Sequence, residues 1–396
     1  MKKRKKTLVV IDNLHTGGIA SSLYNLLYYT HDKLDYHLLV FNKKSIDLSR
    51  IPQDVLLLDT PNCLKILGMS QEEIKKESII LYFIRAILVI ISKISNGEFA
   101  RKVLFLCIKK VHKYDLAISF AQDNGWHTLS KGCNDFVIDK VDSTKKLAYI
   151  HCDYSNYGGY DPKQEKKLIE FDNIVCVSHS CAQSFENKFP SLKSKILINE
   201  NFINVDLINE KKLEYVIEYP KNKTNFVTVC RISSVKGLDR ALLAFKIAQD
   251  KGVDNFSWTI VGDGPERETL KLQIEKYQLN SKIKLVGNKD NPYPYILGAD
   301  IFLLPSIHEA APMVFGEAAV LNVPILTTNT CSANELVLQK RIGKVMENNQ
   351  ESITNNIMSA ICNKKMIHFE YSLDINHNAK AQFENIVENE KDGDKK

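Results

Sequence analysis

The sequence predicts two α/β domains, each built on a doubly wound parallel sheet, facing one another across a cleft. Three observations carry this expectation. Apolar runs of strand length alternate with helical patterns along the whole chain, the signature of βα units around parallel sheets. The alternation occurs twice, on either side of residues 191–225, a stretch rich in Asn, Lys and Glu with weak periodicity. And 396 residues are enough for two domains of ordinary size.

In the first half the strand candidates are residues 8–11, 37–41, 116–120, 147–150 and 174–177. In the second half they are 226–230, 258–261, 283–286, 301–304 and 325–327. Residues 238–249 place Leu238, Ala241, Leu242, Phe245 and Ala248 on one helical face between two of these strands. Gly262 and Pro305 close strands where the chain must turn. The hinge is expected near residues 199–206, giving domains over 1–200 and 201–375. Residues 376–396 follow as a helix and tail that packs back on the first domain, its charged end from 388 frayed.

Hydrophobic residues make up 44% of the chain and charged residues 25%, which excludes a disordered or fibrous protein. Nine cysteines, an odd number without a CxxC pair and partly inside apolar runs, read as reduced thiols of a reducing compartment and suggest no metal site. The basic opening Met1-Lys2-Lys3-Arg4-Lys5-Lys6 precedes an apolar run of only four residues, too short for a signal peptide, so the expected location is the cytoplasm. Residues 1–113 hold 19 Lys+Arg against 10 Asp+Glu. That net of +9 within a total of +6 leaves −3 for the remainder. A basic end on a near-neutral body suggests an anionic surface as partner. No motif that reads nucleic acid accompanies it, so no nucleic-acid partner is expected.

Residues 78–94 are the most apolar stretch. Arg85 at its centre makes a bilayer span unfavourable by ~2.5–3.5 kcal/mol on insertion scales. Two readings remain: a helix buried in the first domain, or an interfacial helix lying on a membrane beside Arg101, Lys102, Lys109, Lys110 and Lys113.

The strongest local signal is His308-Glu309-Ala310-Ala311-Pro312-Met313-Val314-Phe315-Gly316-Glu317. It follows a strand, and Pro312 suits the first turn of a helix. Glu309 then lies in the loop at the strand's carboxyl end, Glu317 one to two turns into the helix, and the loop amides face a crevice that favours anions. Carboxylates there accept hydrogen bonds from sugar or ribose hydroxyls; the plain reading is a helix-terminal acid and a solvated one. Upstream, Arg231 and Lys236 flank a strand-to-helix turn. A planar fork and a point charge suit a diphosphate and would stabilise a departing nucleoside diphosphate without a metal. Between the motifs, Val261-Gly262-Asp263-Gly264-Pro265 and Asn291-Pro292-Tyr293-Pro294-Tyr295 form turns on the same sheet edge.

The order R-x4-K-G, VGDGP, VGNKDNPYPY and ADIFLLPS followed by E-x7-E resembles the donor domain of family-4 retaining glycosyltransferases of GT-B fold. Asn13-Leu14-His15-Thr16-Gly17-Gly18-Ile19-Ala20, Asp115-Leu116-Ala117-Ile118-Ser119-Phe120 and Tyr149-Ile150-His151-Cys152-Asp153-Tyr154 resemble further segments of the bacterial polysaccharide branch. The resemblance spans about residues 7–345. It implies that Arg231 and Lys236 hold the diphosphate and Glu317 the ribose. Glu309 and the amides around Ala311 and Met313 address the donor sugar. Asn291 and Tyr293 lie in the region that cradles the base, Gly262 and Pro312 belong with the donor-binding residues, Gly17 and Gly18 let the first domain's loop approach phosphates, and His151 reaches the sugar or acceptor from the first domain.

The implied reaction moves a sugar from a nucleotide-diphosphate donor, UDP-linked, to a glycan or lipid-linked acceptor with retention and without a cofactor. The leaving diphosphate itself helps deprotonate the acceptor, so Glu309 and Glu317 are binding groups and not the acid/nucleophile pair of a glycosidase. Two positions depart from the pattern: Ala310 stands where a Gly is frequent, and Ala20-Ser21 where a charged pair is. Rival readings are a nucleotide-sugar epimerase, a sugar phosphorylase, and a non-catalytic sugar-nucleotide-binding or scaffold subunit.

Overall fold

The computed structural model describes residues 3–15, 17–363, 367, 369–370 and 374–388. Thr16 of the glycine loop and the charged tail beyond 388 lie outside the described residues. The chain divides into two compact units, residues 1–202 with 376–396, and residues 203–375.

The first unit holds a seven-stranded sheet of β1 (Lys5–Asn13), β2 (Leu34–Asn42), β3 (Leu56–Leu57), β4 (Val111–Ser119), β5 (Val141–Ile150), β6 (Asn173–Cys176) and β7 (Ile196–Ile198). Its order is β3-β2-β1-β4-β5-β6-β7, every pair parallel, with Val9 opposite Leu38 on one side and Ile118 on the other. Leu8, Val9, Val10 and Ile11 are all fully buried, as a continuous apolar run requires when helices cover both faces. The order reverses between β1 and β4, so their carboxyl ends open the crevice in which such sheets bind ligands.

The second unit repeats the plan with β8 (Thr224–Val229), β9 (Phe256–Val261), β10 (Ile283–Gly287), β11 (Ile301–Leu304), β12 (Ile325–Thr328) and β13 (Gly343–Met346), ordered β10-β9-β8-β11-β12-β13. Its reversal falls between β8 and β11. One side of the sheet packs Phe226, Phe245, Phe256 and Trp258. The Trp258 indole N–H donates to Thr228 Oγ1 at 2.9 Å, so this large ring is buried without an orphaned donor.

The helix over His377–Glu388 belongs to the first unit. Lys5 Nζ donates to Val387 O at 2.8 Å, Asn199 Nδ2 to Ala379 O at 3.0 Å, and Phe383 meets Phe202. The opening basic residues are correspondingly not a loose tail: Lys5 and Lys6 already lie in β1, and Arg4 pairs with Asp54 at 3.0 Å.

Two expectations for residues 78–113 are corrected. The helix Ile79–Ile94 is not buried: within it only Leu88 and Ser92 are, while Ile80, Phe83, Ile87, Ile90 and Ile94 are 57–82% exposed. Arg85 turns inward, its Nε donating to Gln71 Oε1 at 2.9 Å and its Nη1 to Ile66 O, which leaves the outer face apolar. Arg101, in turn, is no surface cation. It is 3% exposed and bonds Asp135, while Lys167 Nζ sits 2.5 Å from Asp135 Oδ1 and 3.2 Å from Asp123 Oδ2. Two buried acids and two buried bases thus alternate, the arrangement in which charges survive removal from water. Among the described residues no helix is long and apolar enough to cross a membrane.

Candidate functional site

In the second unit the loops at the carboxyl ends of β8, β9 and β11 are locked to one another. Gly262 has φ +140°, and a Cβ on it would fall 1.9 Å from Cys230 O; one on Gly264 would fall 2.1 Å from Ile232 O. Only glycine fits at either place, and these contacts press the VGDGP turn against the loop that carries Arg231. Ile232 N donates to Asp263 O at 2.8 Å and Ile307 N to Val235 O at 2.8 Å, so three loops share backbone bonds. Arg240 reinforces the join, its Nη2 donating to Pro305 O at 2.6 Å and its Nη1 to Asn348 Oδ1 at 2.7 Å.

On this platform Lys236 and Glu309 meet. Lys236 Nζ lies 2.6 Å from Glu309 Oε1, and Ser306 Oγ donates to the same oxygen at 2.6 Å. Glu309 is nearly buried. Both bonds fall on Oε1, which leaves Oε2 with no protein donor among the described residues. Arg231 is exposed in the same loop as Lys236 and makes no ion pair among the described residues. Cys230, between these cations and the core, is held as a thiol, its pKa pushed up to about 12 by burial.

The other second-unit candidates are placed as follows. Pro312 immediately precedes the helix Met313–Val320, with Met313 buried, Ala311 half-buried and Glu317 half-buried in its second turn. Asn291 is buried: Nδ2 donates to Lys211 O at 2.8 Å and Glu214 Oε2 at 2.6 Å, and Oδ1 accepts from Tyr293 N at 3.2 Å. Its side chain therefore fastens the loop after β10 and is not itself free to meet a base.

In the first unit His151 follows β5. Its ring is shielded from solvent, tilted against Phe120 at 4.8 Å and stacked on Tyr149 at 6.0 Å between centroids. Burial lowers its pKa to about 3, so it stays neutral across the physiological range. The ring bonds the Phe120 backbone, and Nε2 is a buried atom without a partner, an acceptor lone pair suited to a hydroxyl. Asp153 is a turn-builder: burial opposes its charge, but bonds from Ser184 at 2.6 Å, Asn156 at 2.7 Å and Ser155 N at 2.9 Å hold its carboxyl below the usual range. Gly17 and Gly18 meet no packing constraint: a Cβ on Gly18 would touch nothing within 4 Å, and one on Gly17 only His15 O at 3.8 Å. Sequence reasoning did not single out Ser306, Arg240 or Lys131. Of these only Lys131 carried a signal, the Lys-Gly pair ending a long loop.

Residues 210–382 match the family described as Glycosyl transferases group 1. An uncharacterized glycosyltransferase of Methanocaldococcus jannaschii is 28% identical over 162 residues, 40% of each chain. The O-antigen biosynthesis glycosyltransferase WclY of Escherichia coli is 25% identical over 161 residues, 40% of this chain and 44% of its own. The chain thus spans about two fifths of the length of these curated relatives. Among solved structures, Anabaena HepE in complex with UDP superposes with a TM-score of 0.61 at 15% identity over 91% of each chain. The lipopolysaccharide outer core galactosyltransferase WaaB gives 0.61 at 13% identity over 97% of this chain and 99% of its own. The fold is GT-B: two Rossmann-like α/β units with parallel sheets.

Proposed function

We propose that the chain, whose residues 210–382 match the group 1 glycosyl transferases, transfers a sugar, with retention, from a UDP-linked donor to a glycan or lipid-linked acceptor in polysaccharide synthesis. The observation that carries this reading is the Lys236–Glu309 pair at 2.6 Å beside exposed Arg231, on loops that meet at one sheet edge. Two cations there take the charge of the departing diphosphate, and Glu309 Oε2 accepts from a sugar hydroxyl. Glu317 serves the ribose and the backbone around 288–295 the base. The neutral His151 accepts from a hydroxyl of the sugar or acceptor.

In this reading the bond from the anomeric carbon to the diphosphate breaks, the acceptor oxygen attacks from the same face, and its proton passes to a diphosphate oxygen. No protein nucleophile and no metal are required, so a chelator leaves turnover unchanged. The relatives and neighbours named for O-antigen and lipopolysaccharide synthesis support a polysaccharide role.

The apolar face of Ile79–Ile94, with Phe99, Val103 and Leu106 beside it, supports peripheral attachment to the inner face of the membrane, where a lipid-linked acceptor resides. Lys102, Lys109, Lys110 and Lys113 supply the positive rim.

The test is UDP release and product formation from a panel of nucleotide sugars, with Lys236→Ala alongside and the product's anomeric configuration read by NMR. Turnover of one donor with a retained anomer, lost in the variant, supports the reading. A folded protein that binds and turns over no nucleotide sugar overturns it in favour of a scaffold subunit.

A further inference from the structure

The loop between β4 and the helix Cys133–Lys140 ends in an unusual pair. Lys131 has φ +71° and Gly132 φ +83°, two successive left-handed residues of which only the second is glycine. A lysine is rarely found there, and such positions gather where the surroundings over-determine them for a purpose.

The surroundings are firm. Lys131 N donates to Leu67 O at 3.1 Å, and Gly132 N to Asp123 Oδ1 at 3.0 Å. The buried Arg101 holds the carbonyls of Thr128 at 2.7 Å and Leu129 at 3.3 Å, and fills the space over Gly132, where a Cβ would sit 2.3 Å from its Cδ. The buried charges described above thus brace this loop at several points.

That brace brings Lys131 to the reversal of the sheet. On one side Leu67 leads to Gly68, packed so closely on the end of β1 that a Cβ would fall 2.4 Å from Asp12 O. On the other, Gln122 of the same loop accepts from His151 N at 3.2 Å. The Lys131 side chain forms no hydrogen bond or ion pair among the described residues, and its charge acts on Asp12, Cys133, His151 and Cys152 alike. The buried Nε2 of His151, without a partner, lies in the same group.

We infer that Lys131 is an anion anchor of the first unit, holding a phosphate group at the β1/β4 reversal while His151 Nε2 accepts from a hydroxyl of the same molecule. Sugar phosphates and phosphate-linked lipids carry both groups; so does a nucleotide sugar. The inference rests on the proposed function only for which of these carries the phosphate.

Site-specific acetylation, read by mass spectrometry on the whole chain, tests it without turnover. Inorganic phosphate, UDP and farnesyl phosphate are each added, with the exposed Lys251 and Lys271 as internal references. At least one is expected to slow Lys131 acetylation several-fold against the references. UDP protection of Lys131 assigns the phosphate to a nucleotide; farnesyl phosphate protection without UDP protection assigns it to a phosphate-linked lipid. Lys131→Asn keeps a residue that tolerates the left-handed backbone and should lose the thermal upshift given by the protecting ligand, while Lys131→Arg should keep it. Unchanged Lys131 reactivity with all three compounds, or the same ligand upshift in Lys131→Asn as in the parent, overturns the assignment.

Discussion

Glu309 Oε1 receives two donors at the same 2.6 Å, Lys236 Nζ from a loop 73 residues earlier and Ser306 Oγ from its own. The carboxylate is thereby fixed with one oxygen occupied and the other presented. Lys236→Ala is expected to lower kcat by about 10²-fold or more, the usual cost of one lost donor to a developing anion. Glu309→Gln keeps the shape and should act mainly on kcat with a single sugar. Steady-state kinetics on both variants checks this. Equal losses for every nucleotide sugar in Glu309→Gln would mean the group holds the loop and not the donor.

Glycine is demanded at Gly262 by geometry and at Gly18 by nothing among the described residues. Gly262→Ala should therefore destabilise the chain by ~1–3 kcal/mol or more, through a disfavoured φ and a clash with Cys230 O. Gly18→Ala should leave the urea midpoint nearly unchanged. A clear loss of donor or acceptor binding in that second variant would show that a ligand comes close to the loop.

Arg101 is the corner of the buried charge network, and removing it leaves Asp135 and Asp123 to share Lys167 as their one cation among the described residues. Arg101→Met is expected to cost about 3–5 kcal/mol in urea unfolding, and the double change Arg101→Met with Asp135→Leu to cost less than the single one. Asp135 is the acid whose pKa lies above the usual range, from burial first and the neighbouring Asp123 second, so it is the partner to neutralise.

His151 links stability to acidity. Its folded pKa is depressed to about 3 by burial, below the ordinary 6.5, so the unfolded chain binds the proton first as pH falls. Its contribution is fully present above about 6.5 and is lost progressively as pH falls toward 3. In His151→Gln the stability curve should be flatter across that window, measured as urea midpoints at stepped pH. A slope unchanged from the parent would contradict the burial assigned to the ring.

The outer face of Ile79–Ile94 should partition to anionic vesicles. Replacing Phe83 and Ile87 with Ser is expected to weaken co-sedimentation several-fold without lowering the thermal midpoint, since both are more than half exposed. Changing Lys102, Lys109 and Lys110 to Glu should weaken it further and remove its salt dependence. Arg101 is left out of that set, because its loss would act through the core.

Most of the sheet was legible because its strands are buried on both faces and read as unbroken apolar runs. Those that escaped are β3, two residues long, and the edge strands β7 and β13. The latter two are half exposed, and β13 carries Lys344 in a run of only four residues. The orientation of 79–94 was illegible for a different reason. Its polar stripe, Arg85 and Ser92 at helical spacing, faces inward and its apolar side outward, the reverse of the usual pattern, and only the bonds from Arg85 to Gln71 and Ile66 reveal this. Lys236 and Glu309 stood out by residue type and spacing after strands. Ser306 and Lys131 did not: a serine beside a proline and a lysine in a loop are commonplace until the fold gives them neighbours.

The return of residues 377–388 to the first unit makes that unit discontinuous in the chain, while the second is one uninterrupted segment. During synthesis the second unit can close while its predecessor still lacks the helix that receives Lys5 and packs on Phe202. The earlier-made unit thus has its last element synthesised only after the whole of the later-made one.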